Sequence, residues 1–424
     1  MKRPERHTLK TAARLIIVLV GVLYVAPPTA NSMSSGIVRL PKQAVDGLLA
    51  LPATPEALLI KALQEIRANR LDLALKSIEA LLEDKPNFRL ANLIKGDLLL
   101  ARGKPIASFG SASGAQADTL QDLRHEAMVR LSRYQAPPPA DAVPAELVQL
   151  SPEQQYALLV DTSRSRLYVY QNDNGVPRYR SDFYITIGKK GFIKTREGDQ
   201  RTPLGVYRVT GKLERARLDQ IYGKSAELYG IGAWPLSYPN AWDKRQGRTG
   251  KGIWLHGVPY ETYSRAPLAS NGCVVLTNQD METVGNLLKT GTTPVVISNG
   301  VTWLSQADWQ RQRGALMQQV EHWRRDWESL DVDRYLDHYS PNFEADDQKR
   351  DDWSQQKRQI NAGKAWAKVT LSNVSVIRYP GVQSMAEVTF DQDYESSNLV
   401  NKMKKRQYWL LEQGKWKIVY EGQV

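Results

Sequence analysis

The hydrophobic period of this chain changes at a run of prolines, and that change constrains its fold more than any other feature. Ahead of Pro137, Pro138, Pro139 and Pro144 the apolar residues recur at helical spacing; from Tyr156 onward they fall into strand-like runs. At 424 residues the chain also exceeds the usual size of one compact core, so two or three units are expected.

In the helical part, Ala57, Leu59, Ile60, Ala62, Leu63 and Ile66 share one face. Asn69 and Arg70 break the pattern, and Leu71 to Leu82 resume it as far as Lys85 and Pro86. A third helix is expected from Phe88 to Gly103. A shift of about 34 residues, the tetratricopeptide period, sets Ala57 on Ala91, Leu59 on Leu93, Ile60 on Ile94, Ala62 on Gly96 and Asn69 on Gly103. Residues 52–134 therefore read as an all-α, tetratricopeptide-like region, serving as a brace or as a docking surface for a protein partner. Residues 104–118, rich in Ser, Gly and Ala, are expected to be a flexible connector ahead of a helix from Thr119 to Tyr134. Residues 135–151 are expected to be a proline-stiffened linker.

The N-terminus points to export. Lys2, Arg3, Arg6, Lys10 and Arg14 precede an apolar run from Leu15 to Ala26. That run is shorter than the ~20 residues a spanning helix requires, so residues 1–30 read as a signal peptide or an inner-membrane anchor, with a periplasmic destination. The formal charge of +12 and a pI near 9.5 suit anionic surroundings such as a cell wall, a membrane face or nucleic acid. No zinc-finger spacing or RNP-like aromatic motif supports nucleic acid.

Between 152 and 300 the chain is expected to be mostly β. YALLVDT, RLYVYQN and RYRSDFYITIG are strand runs, the last two separated by the Asn174-Gly175 turn. TPLGVYRVTGK, KGIWLHG and TPVVIS continue the pattern, and Asn278 to Leu288 reads as a helix capped by Thr277. Residues 305–424 read as helices followed by long antiparallel strands, an α+β cone.

The chemistry gathers in Gly252 to Asn278. Cys273 is the chain's single cysteine, and His256 precedes it by seventeen positions across a loop. A thiol and an imidazole brought together are the minimum equipment for nucleophilic acyl transfer: the base activates the thiol and returns the proton to the leaving amine. Gly272 lets the backbone turn tightly ahead of the thiol, where amides can converge on an oxyanion. One thiolate and one imidazole fall short of the ligands zinc takes, so no metal and no cofactor are expected there.

These residues resemble the signature of the L,D-transpeptidase (YkuD-type) catalytic domain, matched by His256, Ser270, Gly272, Cys273 and Asn278. TPLGVYRV at 202–209 resembles a strand of that family. The resemblance implies Cys273 as nucleophile, His256 as general acid/base, and the carbonyl of Gly257 orienting the ring. It also implies peptidoglycan stem peptides as substrate, cleaved between meso-diaminopimelate and D-alanine. An acyl-enzyme then passes to an amine, the leading expectation, or to water, as an L,D-carboxypeptidase. Asn271 and Val275 stand where many members carry basic residues, which keeps a non-catalytic wall-binding scaffold as a third reading. Ser270, Asn271, Tyr238 and Arg265 are candidate substrate contacts, and residues 229–243 a candidate cleft wall. The C-terminal residues are similar to an NTF2-like domain, a pairing found in the cell-shape-determining murein L,D-carboxypeptidase branch. His322, Asp337, His338 and Trp366 are the residues of that domain that could suggest a second site, with a glycan or peptide pocket or plain scaffolding expected instead.

Overall fold

The computed structural model describes residues 54–424 apart from 107, 112–113, 115, 346–347 and 382–383. The expected signal or anchor segment, 1–30, lies outside the described residues. Among those described, no helix is long and apolar enough to cross a membrane. The chain divides into two compact units, residues 1–137 with 258–267, and residues 138–257 with 268–424.

In the first unit, helices span Pro55–Arg67, Leu71–Asp84, Arg89–Leu100 and Ala117–Gln135, where the periodicity puts them. Thr54 caps the first, accepting from the Ala57 N–H at 3.2 Å, with Pro55 at a helix position where a missing N–H costs nothing. Asn69, at φ 59°, turns the chain into the second. The apolar faces meet in a core of Leu59, Ala62, Ile78, Leu81, Phe88, Ala91, Ile94 and neighbours. The expected flexible connector is anchored midway. The Gly110 N–H donates to buried Asp97 at 2.5 Å and Arg124 Nε donates to the Phe109 carbonyl at 3.1 Å, so these two residues are held against the helices.

Among the described residues the second unit is built on three larger β-sheets. A five-stranded sheet runs in the order Val176–Tyr184, Arg166–Asp173, Tyr156–Asp161, Pro294–Ser298 and Gly205–Arg208, with Pro294–Ser298 parallel to Tyr156–Asp161. A four-stranded sheet runs Val274–Val275, Trp254–His256, Gly232–Pro235, Leu213–Glu214. Leu158, Val160, Leu167, Trp234, Leu255, Val274 and Met281 join one core. The helix expected from 278 forms over Asn278–Gly285, with Thr277 accepting from the Asp280 N–H at 3.1 Å.

The C-terminal sheet runs Tyr339–Ala345, Lys415–Gln423, Leu399–Glu412, Met385–Ser396, Ala367–Tyr379, Leu147–Gln149. Helix Gln306–Glu328 lies over one face through Leu316, Val320, Trp323 and Trp327. Its other face meets the five-stranded sheet: Ala157, Leu159, Tyr168, Tyr170, Ile377, Tyr379, Tyr408 and Val419 form one cluster. Strand Tyr156–Asp161 is thus covered on both faces, which explains its unbroken apolar run. Arg208 crosses the junction to Glu387 at 2.7 Å, and Asn240 Nδ2 donates to the Tyr379 hydroxyl at 3.0 Å.

The linker expectation for 135–151 is corrected by Leu147–Gln149, which pairs with Val376 and Ile377 as the edge strand of the C-terminal sheet. Leu147 and Leu150 are fully buried, and this apolar stretch outweighs the proline signal before it. Beside it Glu146 is buried with Oε2 unpartnered, and burial pushes its carboxyl up to about 7 from 4.5. The folded chain therefore keeps a proton that the unfolded chain releases from about pH 4.5 upward, and stability falls as pH rises from there to about 7. Glu146→Gln is expected to flatten that part of the pH profile of thermal unfolding; an unchanged slope would assign it elsewhere.

Candidate active site

His256 ends the short strand Trp254–His256, and Val274–Val275 pairs parallel to it with His256 opposite Val275. Extending that register by one residue puts Cys273 beside Trp254, on the same side of the sheet as His256. The ring Nδ1–H of His256 donates to the Gly257 carbonyl at 2.6 Å, the partner expected. This fixes the tautomer with its lone pair on Nε2, the arrangement a base toward the thiol requires. The thiol donates to the Gly252 carbonyl at 3.4 Å. His256 is 4% exposed, while Cys273 is half-buried, so the thiol is reachable and the imidazole is shielded.

The turn before the thiol is built from Ser270 and Gly272. Ser270 Oγ donates to the Cys273 carbonyl at 2.7 Å and accepts from the Gly272 N–H at 3.1 Å. Thr202 Oγ1 accepts from the Gly188 N–H and donates to the Gly272 carbonyl, both at 3.0 Å. Gly272 has φ 123°, and a Cβ there would sit 2.8 Å from the Arg201 carbonyl oxygen. Its role is thus conformational, and its N–H is held by Ser270. Gly272→Ala is expected to lower kcat by at least tenfold while far-UV circular dichroism stays unchanged, because backbone must move beside Cys273. Wild-type kcat in that variant would show the turn to be dispensable.

Around the pair stands an aromatic wall from a segment whose structure the sequence pattern did not reveal. Helix Arg215–Tyr222 and the turn Gly223–Tyr229 bring Tyr222 and Tyr229 against Trp254, with centroids 6.0 and 4.9 Å away. Tyr229 meets the His256 ring edge-on at 5.2 Å. Burial raises the Tyr229 phenol above its ordinary pKa, and the nearby Cys273 raises it further, so one ring lies close to both the thiol and the imidazole. Tyr229 opens the stretch 229–243 that was expected to flank the cleft. The rest of the wall follows a β-like run without a helical face of its own, which hid it.

The candidate substrate contacts separate. Asn271 is exposed beside the thiol. Ser270 is 2% exposed and bonded to the turn, so it braces the backbone around Cys273 rather than facing outward. Tyr238 is corrected more firmly. Its ring lies in the core and its hydroxyl donates to the Thr249 carbonyl at 3.0 Å, so it is a packing residue. Arg265 lies on residues 258–267, which fold with the helical unit. There Tyr263 meets Phe88 at 4.6 Å, Ser264 Oγ donates to Glu126 at 2.7 Å and Asn87 Nδ2 donates to the Tyr260 carbonyl at 3.0 Å. Arg265 is half-buried on that segment. Val275, where a basic residue was looked for, is 1% exposed inside the sheet. In the C-terminal domain, Asp337 pairs with Lys417 at 3.1 Å and Trp366 is 51% exposed, while the carboxylate that meets both His322 and His338 is that of Asp326.

The whole of this site falls within residues 155–297, which match the family described as the L,D-transpeptidase catalytic domain, YkuD. That match takes in both His256 and Cys273. Residues 315–422 match the Cds6 C-terminal NTF2-like domain. Two solved structures carry both likenesses further. Bd1075 of Bdellovibrio bacteriovorus is 29% identical, covering 66% of this chain and 97% of its own, with a TM-score of 0.58. The helical cell shape determining protein Pgp2 of Campylobacter jejuni is 26% identical, covering 65% of this chain and 95% of its own, with a TM-score of 0.55. No curated protein matches the chain. The YkuD and NTF2-like matches, occurring together, agree with the branch that the resemblance named.

Proposed function

We propose that this chain is an exported cysteine acyltransferase that opens peptidoglycan stem peptides between meso-diaminopimelate and D-alanine. The observation that carries the reading is the His256–Gly257 bond at 2.6 Å on a strand register-paired with the one that follows Cys273. In the proposed reaction the Cys273 sulfur attacks the scissile carbonyl as Nε2 of His256 takes the thiol proton. The C–N bond breaks, that proton goes to the D-alanine amine, and a thioester remains on Cys273. Lys189, whose N–H donates to the Ser270 carbonyl at 2.8 Å, and Arg201, beside Gly272, are exposed cations suited to the carboxylates of such a stem.

We favour water as the acceptor, giving an L,D-carboxypeptidase, because the catalytic domain is joined to the NTF2-like domain as in the cell-shape branch. Transfer to a second stem amine, the expectation from the catalytic motif alone, is the other reading. Muropeptide analysis after incubating purified protein with tetrapeptide substrate separates them. Tripeptide alone is the expected product, new dimers would mean crosslinking, and unchanged tetrapeptide would defeat both. Periplasmic location belongs to the same proposal, and a fusion reporter at the C-terminus that is active only in the cytoplasm would count against it.

A further inference from the structure

The C-terminal domain holds a second cluster of chemistry-bearing side chains, outside the catalytic site and unused by it. His322 and Asp326 stand one turn apart on helix Gln306–Glu328, and His338 follows helix Val332–Asp337 as its C-cap. Both imidazoles turn the same nitrogen to the same oxygen. His338 Nε2 lies 2.7 Å from Asp326 Oδ2, and His322 Nε2 lies 3.2 Å from it. The rings meet edge to face at 5.1 Å, and one ligand atom from each of the three residues lies within 4.8 Å of the others.

Ligands of an ion bound at about 2.0–2.1 Å in tetrahedral geometry are roughly 3.3 Å apart; His322 Nε2 and Asp326 Oδ2 already stand at 3.2 Å, and the 2.7 Å His338–Asp326 hydrogen bond would lengthen to meet it. Two imidazoles and a carboxylate suit zinc and its first-row neighbours rather than calcium or magnesium, which prefer oxygen throughout. The surrounding charges are engaged elsewhere. Arg324 and Arg325 pair with Glu321, Arg324 also with Glu328, and Lys417 with Asp337, so none of these cations is paired with Asp326. The site is anchored on one side and open on the other: His338 and Asp326 side chains are 9% and 13% exposed, that of His322 64%. The His338 carbonyl also accepts from the Ile418 N–H at 2.8 Å, which fixes its backbone against the sheet.

We propose that His322, Asp326 and His338 bind one zinc-class divalent cation, with water completing the shell on the open side. The ion would replace the ring protons now shared with Asp326 and clip the long helix to the start of strand Tyr339–Ala345. This differs from the second site suggested by the sequence: Asp326 rather than Asp337 joins the histidines.

The test is zinc binding to the full chain carrying Cys273→Ala, so that the catalytic thiol contributes nothing. Chelator-treated protein is titrated with zinc chloride by calorimetry, its metal content is measured after dialysis, and its melting temperature is read with and without zinc. One zinc per chain and a rise of several degrees on saturation are expected. Adding His322→Ala, an exposed position that leaves the fold intact, is expected to weaken binding at least tenfold, and Asp326→Asn likewise. No stoichiometric zinc in the parent protein, or equal affinity in the His322→Ala chain, would overturn the site.

Discussion

Cys273→Ala is expected to abolish turnover of tetrapeptide substrate, on the order of 10,000-fold or more, with no covalent adduct visible by intact-mass measurement after exposure to a carbapenem. The size of the effect follows from the absence of a substitute: Cys273 is the chain's single cysteine, and no other thiol can attack. His256→Ala differs in kind. It removes the base but leaves the fraction of thiol that ionises unaided, so slow acylation persists and rises with pH toward the ordinary thiol pKa of about 8.5. Wild-type adduct formation in the Cys273→Ala chain would remove the nucleophile from this reading. Full activity after His256→Ala would remove the base.

Glu387→Ala is expected to cost about 3–5 kcal/mol of stability, the usual penalty for leaving a buried charge unpaired. Glu387 is 2% exposed and answers Arg208 at 2.7 Å and Arg406 at 3.5 Å, with the Tyr408 hydroxyl donating to it at 3.4 Å. Arg208 belongs to the catalytic sheet and the other three to the C-terminal sheet, so its loss loosens both. A fall of about 10 °C in melting temperature, as one transition, is the expected reading. Two separated transitions, with the catalytic one unmoved, would show that the shared core does not couple them.

Cys273 and His256 stood out as candidates because residue type alone isolates them: one cysteine, one nearby histidine, a glycine that the turn requires. The long antiparallel strands of the C-terminal domain, Ala367–Tyr379 among them, were legible as a class because such long apolar-rich runs stand out in the sequence. Leu147–Gln149 was not, since three residues carry no period and their partner at Val376 and Ile377 is far along the chain. Tyr238 misled for a related reason. An aromatic beside a cleft-like stretch reads as a contact, and only packing shows its hydroxyl turned inward to Thr249. The Asp326 cluster needed the fold as well, because a C-cap histidine and a helix face twelve residues earlier share nothing in sequence.

The path of residues 258–267 bears on how such a chain can be taken apart. Between base and nucleophile the backbone leaves the catalytic fold and is socketed among the helices, Tyr263 on Phe88 and Ser264 on Glu126, which Arg130 holds at 2.9 Å. Helices and catalytic fold are therefore not interchangeable modules. A recombinant that exchanges the first 137 residues for another helical segment must carry over the Tyr263 socket, or it leaves the middle of the His256–Cys273 tether without its mooring.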